Sequence, residues 1–272
     1  KVWSTIFQKF KARYRLGVSA TPERKDGLDQ VFKWHLGEIG CVAEKKGSLE
    51  RPDFYEVTLK LDIDESNVQR HGVNDFGKYN NYLVKLKPFL YMAVDTVMKA
   101  LRKDRKILIL THRKKYPWVL KKVIEQCIEI DAECDPDAKI KVLAAGAKKY
   151  DVDIAKKSAI TISTYQQLSR AYSDSELDTL ICVGQPGSEI AQTIGRLRDQ
   201  KPEGSTRKNL QVVWLSTYLM YDDKRSASYQ RQLAELGIKY RRIDVDPIKS
   251  ITALKKRMVP YEPIKKGARI KK

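Results

Sequence analysis

"KILILTH", residues 106–112, is the stretch on which the fold turns. Ile107 to Leu110 are four branched apolar residues in a row with no polar alternation. That pattern describes a strand covered on both faces, as in a parallel sheet. The following segment, "KKYPWVLKKVIEQCIEI" (114–130), repeats Val119, Leu120, Val123, Ile124, Cys127 and Ile128 at helical spacing. Further strands are predicted in "KIKVLAAG", "AITISTY", "DTLICVGQP" and "LQVVWLSTY". Helices are predicted near 188–199 and 224–236, the second closed by Gly237 as a C-cap. "YRRIDVD" (240–246) adds a last strand. Strands alternating with helices predict an α/β domain with a mainly parallel sheet over residues 104–247.

The first part of the chain reads differently. Residues 1–58 form a separate piece, in which "YRLGVSATP" (14–22) is a strand running into a loop. "CVAEKKGSLERPDFYEVTLKL" supplies shorter extended segments. Residues 59–103 are a connector, helical over 79–103, with Pro88 starting its second part. The end, 248–272, is a basic tail in which "LKKRMVPYEPIKKGARIKK" sets eight basic residues against one acid. It reads as a loosely docked tail, with a sorting signal or an extra phosphate contact as alternatives. There is no internal repeat.

Lysine and arginine total 53 against 34 acids, a net charge of +19 over 272 residues. Such an excess favours a polyanionic partner through phosphate neutralisation and counterion release. Nucleic acid is preferred to an anionic membrane, since no strongly amphipathic basic helix stands out. No apolar run approaches the roughly 18 residues of a membrane span, and no signal peptide opens the chain. An intracellular setting is expected: cytoplasm, nucleus or a virus-infected cell. Cys41, Cys127, Cys134 and Cys182 show no CxxC spacing and only three histidines are present, which argues against zinc and for reduced, buried thiols. No metal-ligating residue is assigned.

Two short segments carry candidate chemistry. In "YRLGVSATP" the hydroxyls of Ser19 and Thr21 emerge at a strand end, where ligand sites of open α/β sheets lie. A turn in which they bond local backbone is the equal alternative. In "PGSEIAQTIGRLRD" (186–199), Ser188 suits a helix cap and Glu189 its first turn. Ile190, Ile194 and Leu197 fall on one stripe, Gln192 and Arg196 on the opposite face. An arginine so placed can stabilise charge on a transferring phosphoryl group. On an isolated helix the solvated surface arginine is the favoured reading, because charged outer faces are the norm.

The order "LGVSATPERKDG", "ILILTHR", "ITISTYQQ", "LDTLICVGQP", "QTIGRLRD" resembles the second half of a superfamily II helicase. It is most similar to the branch of XPB-like and phage recombination helicases, over roughly residues 1–220. The resemblance implies a RecA-like domain preceded by the tail end of a first one. It implies that Ser19, Ala20 and Thr21 couple ATP hydrolysis to strand movement. It places Thr111, His112 and Arg113 near a nucleic-acid backbone, with Thr164, Tyr165 and Gln166 at phosphates or the ATP cleft. Arg196 becomes the arginine finger, with Gln192 beside it and Arg198 a second candidate. ATP and Mg²⁺ are the implied cofactors, held mostly by the first domain, and DNA is favoured over RNA as the partner.

This chain departs from the family pattern in two places. In T-x6-G-x-D, Thr164 puts the glycine at Ala171 and the aspartate at Ser173. In Q-x-x-G-R-x-x-R, the last arginine position is Asp199, and Arg198 stands one place earlier. On a regular helix Arg198 points away from Arg196; it reaches the cleft if the helix ends early. No P-loop or DExH box is present, and Gly77-Lys78 is followed by tyrosine without the upstream glycine. The first residue is Lys1, so the chain is expected to begin just past a DExH box, to need a first RecA-like domain in cis or in trans, and to be inactive toward ATP alone. The leading expectation is the C-terminal part of an ATP-dependent helicase or translocase. The alternative is a non-catalytic nucleic-acid-binding or regulatory subunit. A nuclease built on Glu44-Lys45-Lys46 with Asp26 and Asp29 is a distant third, because such triplets arise by chance in a chain this charged.

Overall fold

The uninterrupted apolar runs become the middle of one parallel sheet. The computed structural model describes residues 9, 13–18, 27, 29–41, 50–61, 63–168, 172–187 and 190–246. In chain order the elements are α1 (Asp29–Leu36), β1 (Asp53–Leu59), β2 (Gln69–Arg70), β3 (Val73–Asn74), α2 (Phe76–Leu83), α3 (Lys87–Leu101) and β4 (Ile107–Thr111). Then follow α4 (Tyr116–Ile130), β5 (Ile140–Leu143), α5 (Lys149–Lys157), β6 (Ile160–Thr164), α6 (Tyr165–Leu168) and β7 (Thr179–Val183). The last are α7 (Ile190–Ile194), β8 (Gln211–Thr217), α8 (Met220–Glu235) and β9 (Tyr240–Val245).

Seven strands pair in the order β5-β6-β4-β7-β8-β1-β9, and every pairing among them is parallel. All residues of β4, β6 and β7 are buried, as a sheet covered on both faces requires. One core cluster joins α2, α3 and α4 to one face, through residues such as Tyr79, Phe89, Met98, Leu120 and Ile124. A second gathers on the other face around Phe54, Leu108, Trp214, Tyr229 and Leu233. β2 and β3 form a separate small hairpin, joined by His71 and Gly72, both at positive φ, 52° and 75°. Positive φ at both central residues matches the twist of tight hairpin turns.

Two expectations change. The division read from the sequence, with 1–58 a first piece and 59–103 a connector, does not match the strand pairing. Instead β1 lies inside the sheet, pairing with β8 from Asp53↔Gln211 to Leu59↔Thr217 and with β9 on its other side. The chain divides into compact units at 1–47 and 48–272, so α2 and α3 belong with the sheet. In the first unit, residues 14–18 form no strand, and Tyr14, Leu16 and Val18 are exposed. A strand needs a neighbour to pair with, and none is described in that unit. Ser19, Ala20, Thr21, Asp26, Glu44, Lys45, Lys46 and the tail lie outside the described residues.

A buried carboxylate pins β1 in place. Glu56 is fully buried, yet Ser216 Oγ of β8 donates to its Oε1 at 2.8 Å and Thr58 Oγ1 at 3.4 Å. Ser226 of α8 and Tyr240 of β9 donate to Oε2. Sequestering a carboxylate without partners costs several kcal/mol, so these hydroxyls decide whether the strand can sit there. Removing residues 1–47 is therefore expected to leave one cooperative urea transition, whereas removing 1–59 strips β9 of its partner and abolishes it. Phe54→Ala in the intact chain should cost about 3–5 kcal/mol, read by the same unfolding experiment.

Candidate functional site at the carboxyl edge of the sheet

Because all seven strands run one way, their carboxyl ends share one edge. The strand order reverses around β4, with β6 and β5 on one side and β7 and β8 on the other. Crevices at such reversals are where open α/β sheets bind ligands. Here the crevice is bridged by a hydrogen bond: the His112 ring, just past β4, donates from Nε2 to the Gln185 carbonyl, just past β7, at 2.6 Å. A carbonyl only accepts, so Nε2 carries the proton. Burial pulls the His112 pKa below its ordinary value, opposed by the Gln185 carbonyl and helped by the neighbouring Arg113 charge, so the ring is neutral at physiological pH.

His112 is also the middle of a row of rings. It stacks on Tyr165 with centroids 4.4 Å apart and planes at 23°, and meets Phe76 edge-to-face at 4.8 Å and 82°. The buried Tyr165 phenol is pushed well above its ordinary pKa by loss of solvent. Gly184 makes room for the arrangement. Its φ is +82°, and a Cβ there would stand 3.1 Å from Asn80 Oδ1 and 3.6 Å from the His112 ring. Only glycine meets both demands at no cost.

Behind the crevice sits a second buried carboxylate. Asp222, in the first turn of α8, is fully buried. Its Oδ2 accepts from the Thr217 backbone N–H at 2.9 Å and from Thr217 Oγ1 at 2.6 Å. Its Oδ1 accepts from Tyr79 Oη at 2.6 Å and Gln185 Nε2 at 2.9 Å. One side chain thus joins the end of β8, helix α2 and the loop after β7. That loop is held again by Tyr229, whose hydroxyl donates to Pro186 O at 2.7 Å and Gly187 O at 3.0 Å.

The residues expected at the site divide into two groups. His112, Arg113, Thr164 and Tyr165 come together at the ends of β4 and β6, where Thr111 and Thr164 are register partners. Both threonines are buried, with Thr111 Oγ1 directed to Arg113 O at 3.5 Å and Thr164 Oγ1 accepting from Gln167 N at 3.4 Å. Arg113 is half-buried and donates to the Gly77 carbonyl; Gln166 is exposed. Gln192, Arg196 and Arg198 lie on the segment after β7. The helix expected over 188–199 is regular only from Ile190 to Ile194, so Gln192 is on it and both arginines follow it. Arg196 is half-buried, and among the described residues its guanidinium makes no ion pair or side-chain hydrogen bond. Arg198 is exposed and turns both Nε and Nη2 onto Ser173 Oγ, at 3.0 and 2.8 Å. Gln185, Asp222, Tyr79 and Phe76 were not singled out from the sequence. "VGQP" after a buried strand places Gln185 at a strand end, a signal local enough to be read from the sequence.

No family model matches the chain. A protein of Acanthamoeba polyphaga mimivirus named "Putative ATP-dependent RNA helicase" is 22% identical over 207 residues, 72% of this chain. Among solved structures, a Vibrio vulnificus fragment described as an HsdR subunit of a type I restriction enzyme superposes with a TM-score of 0.63 at 13% identity, over 91% of this chain and 47% of its own. T4 UvsW gives 0.53 at 13%, over 72% and 42%. Saccharomyces cerevisiae Dbp5 bound to RNA and ADP BeF3 gives 0.51 at 13%, over 88% and 53%. The chain shares the fold of these solved structures. The expected RecA-like class holds, with its parallel sheet and flanking helices. The chain spans 37% of the length of the mimivirus relative. Cys127, Cys134 and Cys182 are buried free thiols, while Cys41 is exposed. Among the described residues no helix is long and apolar enough to cross a membrane.

Burial raises the Asp222 pKa to about 6, against hydrogen bonds from Thr217, Tyr79 and Gln185 that pull it down. A carboxyl whose folded pKa exceeds its unfolded value binds more protons in the folded state, so its stabilising contribution is full below about pH 4 and is lost as pH rises toward 6. Asp222→Asn does not titrate. The stability advantage of the wild type over this variant is expected to shrink between pH 4.5 and 7, by on the order of 2 kcal/mol. Urea unfolding at several pH values reads it; an advantage that grows with pH refutes the assignment.

Proposed function

We propose that this chain is the C-terminal motor portion of an ATP-dependent nucleic-acid helicase or translocase. ATP sits against Arg196, in a cleft completed by a first RecA-like domain in cis or in trans. Arg196 supports this reading most directly. Every other arginine named above has intramolecular bonds to hold it, whereas Arg196 is half-buried and has no side-chain partner among the described residues. A guanidinium in that condition fits the terminal phosphate of a nucleotide, whose developing charge it stabilises without itself transferring a proton.

The other half of the proposal concerns grip. Past β4, His112 and Arg113 are followed by exposed Lys114 and Lys115, and the chain carries a net +19. Sugar-phosphate contacts of this kind position a strand without reading its sequence. The relatives named for or bound to RNA do not support the expected preference for DNA, so the partner is proposed as a nucleic-acid backbone of either kind. ATP and Mg²⁺ are proposed to be held mostly by the first RecA-like domain. The role of Ser19, Ala20 and Thr21 in coupling hydrolysis to movement remains part of the proposal, as does an intracellular setting.

A second reading is favoured by one observation. Ser173, where the resembling family carries aspartate, is occupied by Arg198, which suits a binding module that no longer turns over nucleotide. Arg196 discriminates. With an ATP-binding first domain supplied, fused or in trans, Arg196→Ala is expected to lower nucleic-acid-stimulated ATP turnover about 10³-fold and leave strand binding by the chain within twofold. Unchanged turnover would overturn the motor reading. Strand binding that does not weaken with added salt would overturn the grip on phosphates.

A further inference from the structure

Phe76 is out of keeping with its surroundings. It is the first residue of α2, where Tyr79, Asn80 and Leu83 are buried, yet 43% of it is exposed. It is the outermost of the three rings Phe76–His112–Tyr165. An edge-to-face contact covers at most one face of a ring, so Phe76 keeps a face that His112 does not cover. Its position is fixed. Asp75 caps α2 by accepting from the Lys78 N–H at 2.8 Å, Arg113 bonds the Gly77 carbonyl, and the β2–β3 hairpin is tied to α2 through Lys78 Nζ to Gln69 O at 2.6 Å.

Several cations lie on the segments that hold this ring. Arg70, Lys78 and Arg113 come from the hairpin, α2 and the end of β4, and Lys114 and Lys115 follow directly. Asp75, the acid that directly precedes Phe76, is already engaged by the Lys78 N–H and by Arg70 Nε at 3.3 Å. An exposed, rigid aromatic face among cations is the arrangement that holds unpaired nucleobases: the cations take the phosphates and the ring takes the base.

We propose that Phe76 is a stacking platform for an unpaired nucleobase of the strand whose backbone is held at the ends of β4 and β6. His112 is its positioning residue. The inference rests on the nucleic-acid reading above and adds a base contact to a grip otherwise made to phosphates. Stacking is tolerant of base identity, because every base has a flat face.

The test uses the full chain with fluorescein-labelled 16-nucleotide oligothymidylate and oligouridylate, and a DNA strand of equal phosphate count in which the bases are replaced by abasic sites. Fluorescence anisotropy should show Phe76→Leu binding both base-bearing strands about tenfold more weakly, with Phe76→Tyr within twofold of wild type. On the abasic strand all three proteins should bind alike. Phe76→Met repeats the leucine experiment should that variant melt early. Equal weakening on base-bearing and abasic strands would make Phe76 a structural residue and overturn the proposal. Tight, salt-sensitive binding that Phe76→Leu leaves unchanged would overturn the stack and leave the backbone reading standing. Absence of binding to any strand would remove both.

Discussion

Parallel pairing is the constraint on which the molecule depends. Two parallel strands cannot be joined by a tight turn; the chain must cross back over the sheet before the next strand begins. The crossings place helices on both faces, and the faces then demand side chains apolar on both sides, as in β4, β6 and β7. Each fully buried Ile, Leu or Val there contributes roughly 1.5–3 kcal/mol of burial. The same constraint puts every carboxyl end on one edge. His112, Tyr165, Gln185 and Asp222 are spread over more than a hundred residues of sequence, and they meet because the strands preceding them all point the same way.

Two buried carboxylates make that edge specific. Hydrophobic burial alone would tolerate β1 one residue out of register, but such a slip would carry Glu56 to the other face, away from Ser216, Ser226 and Tyr240. An unsatisfied carboxylate there is far costlier than the lost apolar contacts. Asp222 does similar work among β8, α2 and the loop after β7. Its raised pKa shows that four hydrogen bonds do not fully offset the loss of water. The stability forgone is the cost of tying the loop that receives His112 to the body of the domain.

The sequence was most legible where the signal is local and continuous. Ile107–Leu110 and Thr179–Val183 announce buried strands because nothing polar interrupts them. "DFYEVTL" does not, since Glu56 and Thr58 break the run and its partners lie more than 150 residues away. Its place in the sheet depends on hydroxyls that no local pattern advertises. Asp222 and Asp223 are likewise adjacent and identical in type, yet one is fully buried and the other exposed; only tertiary contacts tell them apart. The paired rings of His112 and Tyr165 were legible as site residues through the family resemblance, and Phe76 was not, because it belongs to no segment of that pattern.

The arginine segment shows why a helical wheel misleads when the helix is short. Placing Arg196 opposite the apolar stripe assumed regular geometry to residue 199, but α7 stops at Ile194 and Gly195 lies in the turn that follows. Glycine is about 1 kcal/mol worse than alanine inside a helix, so the end at this point is no surprise. Past it, each arginine's position is set by what it bonds. Arg198 finds the Ser173 hydroxyl, a neutral acceptor that leaves the guanidinium's charge uncompensated. Arg196 finds nothing among the described residues. Among the described residues neither guanidinium is paired with a carboxylate, which is why the proposed function gives Arg196 a polyphosphate to meet.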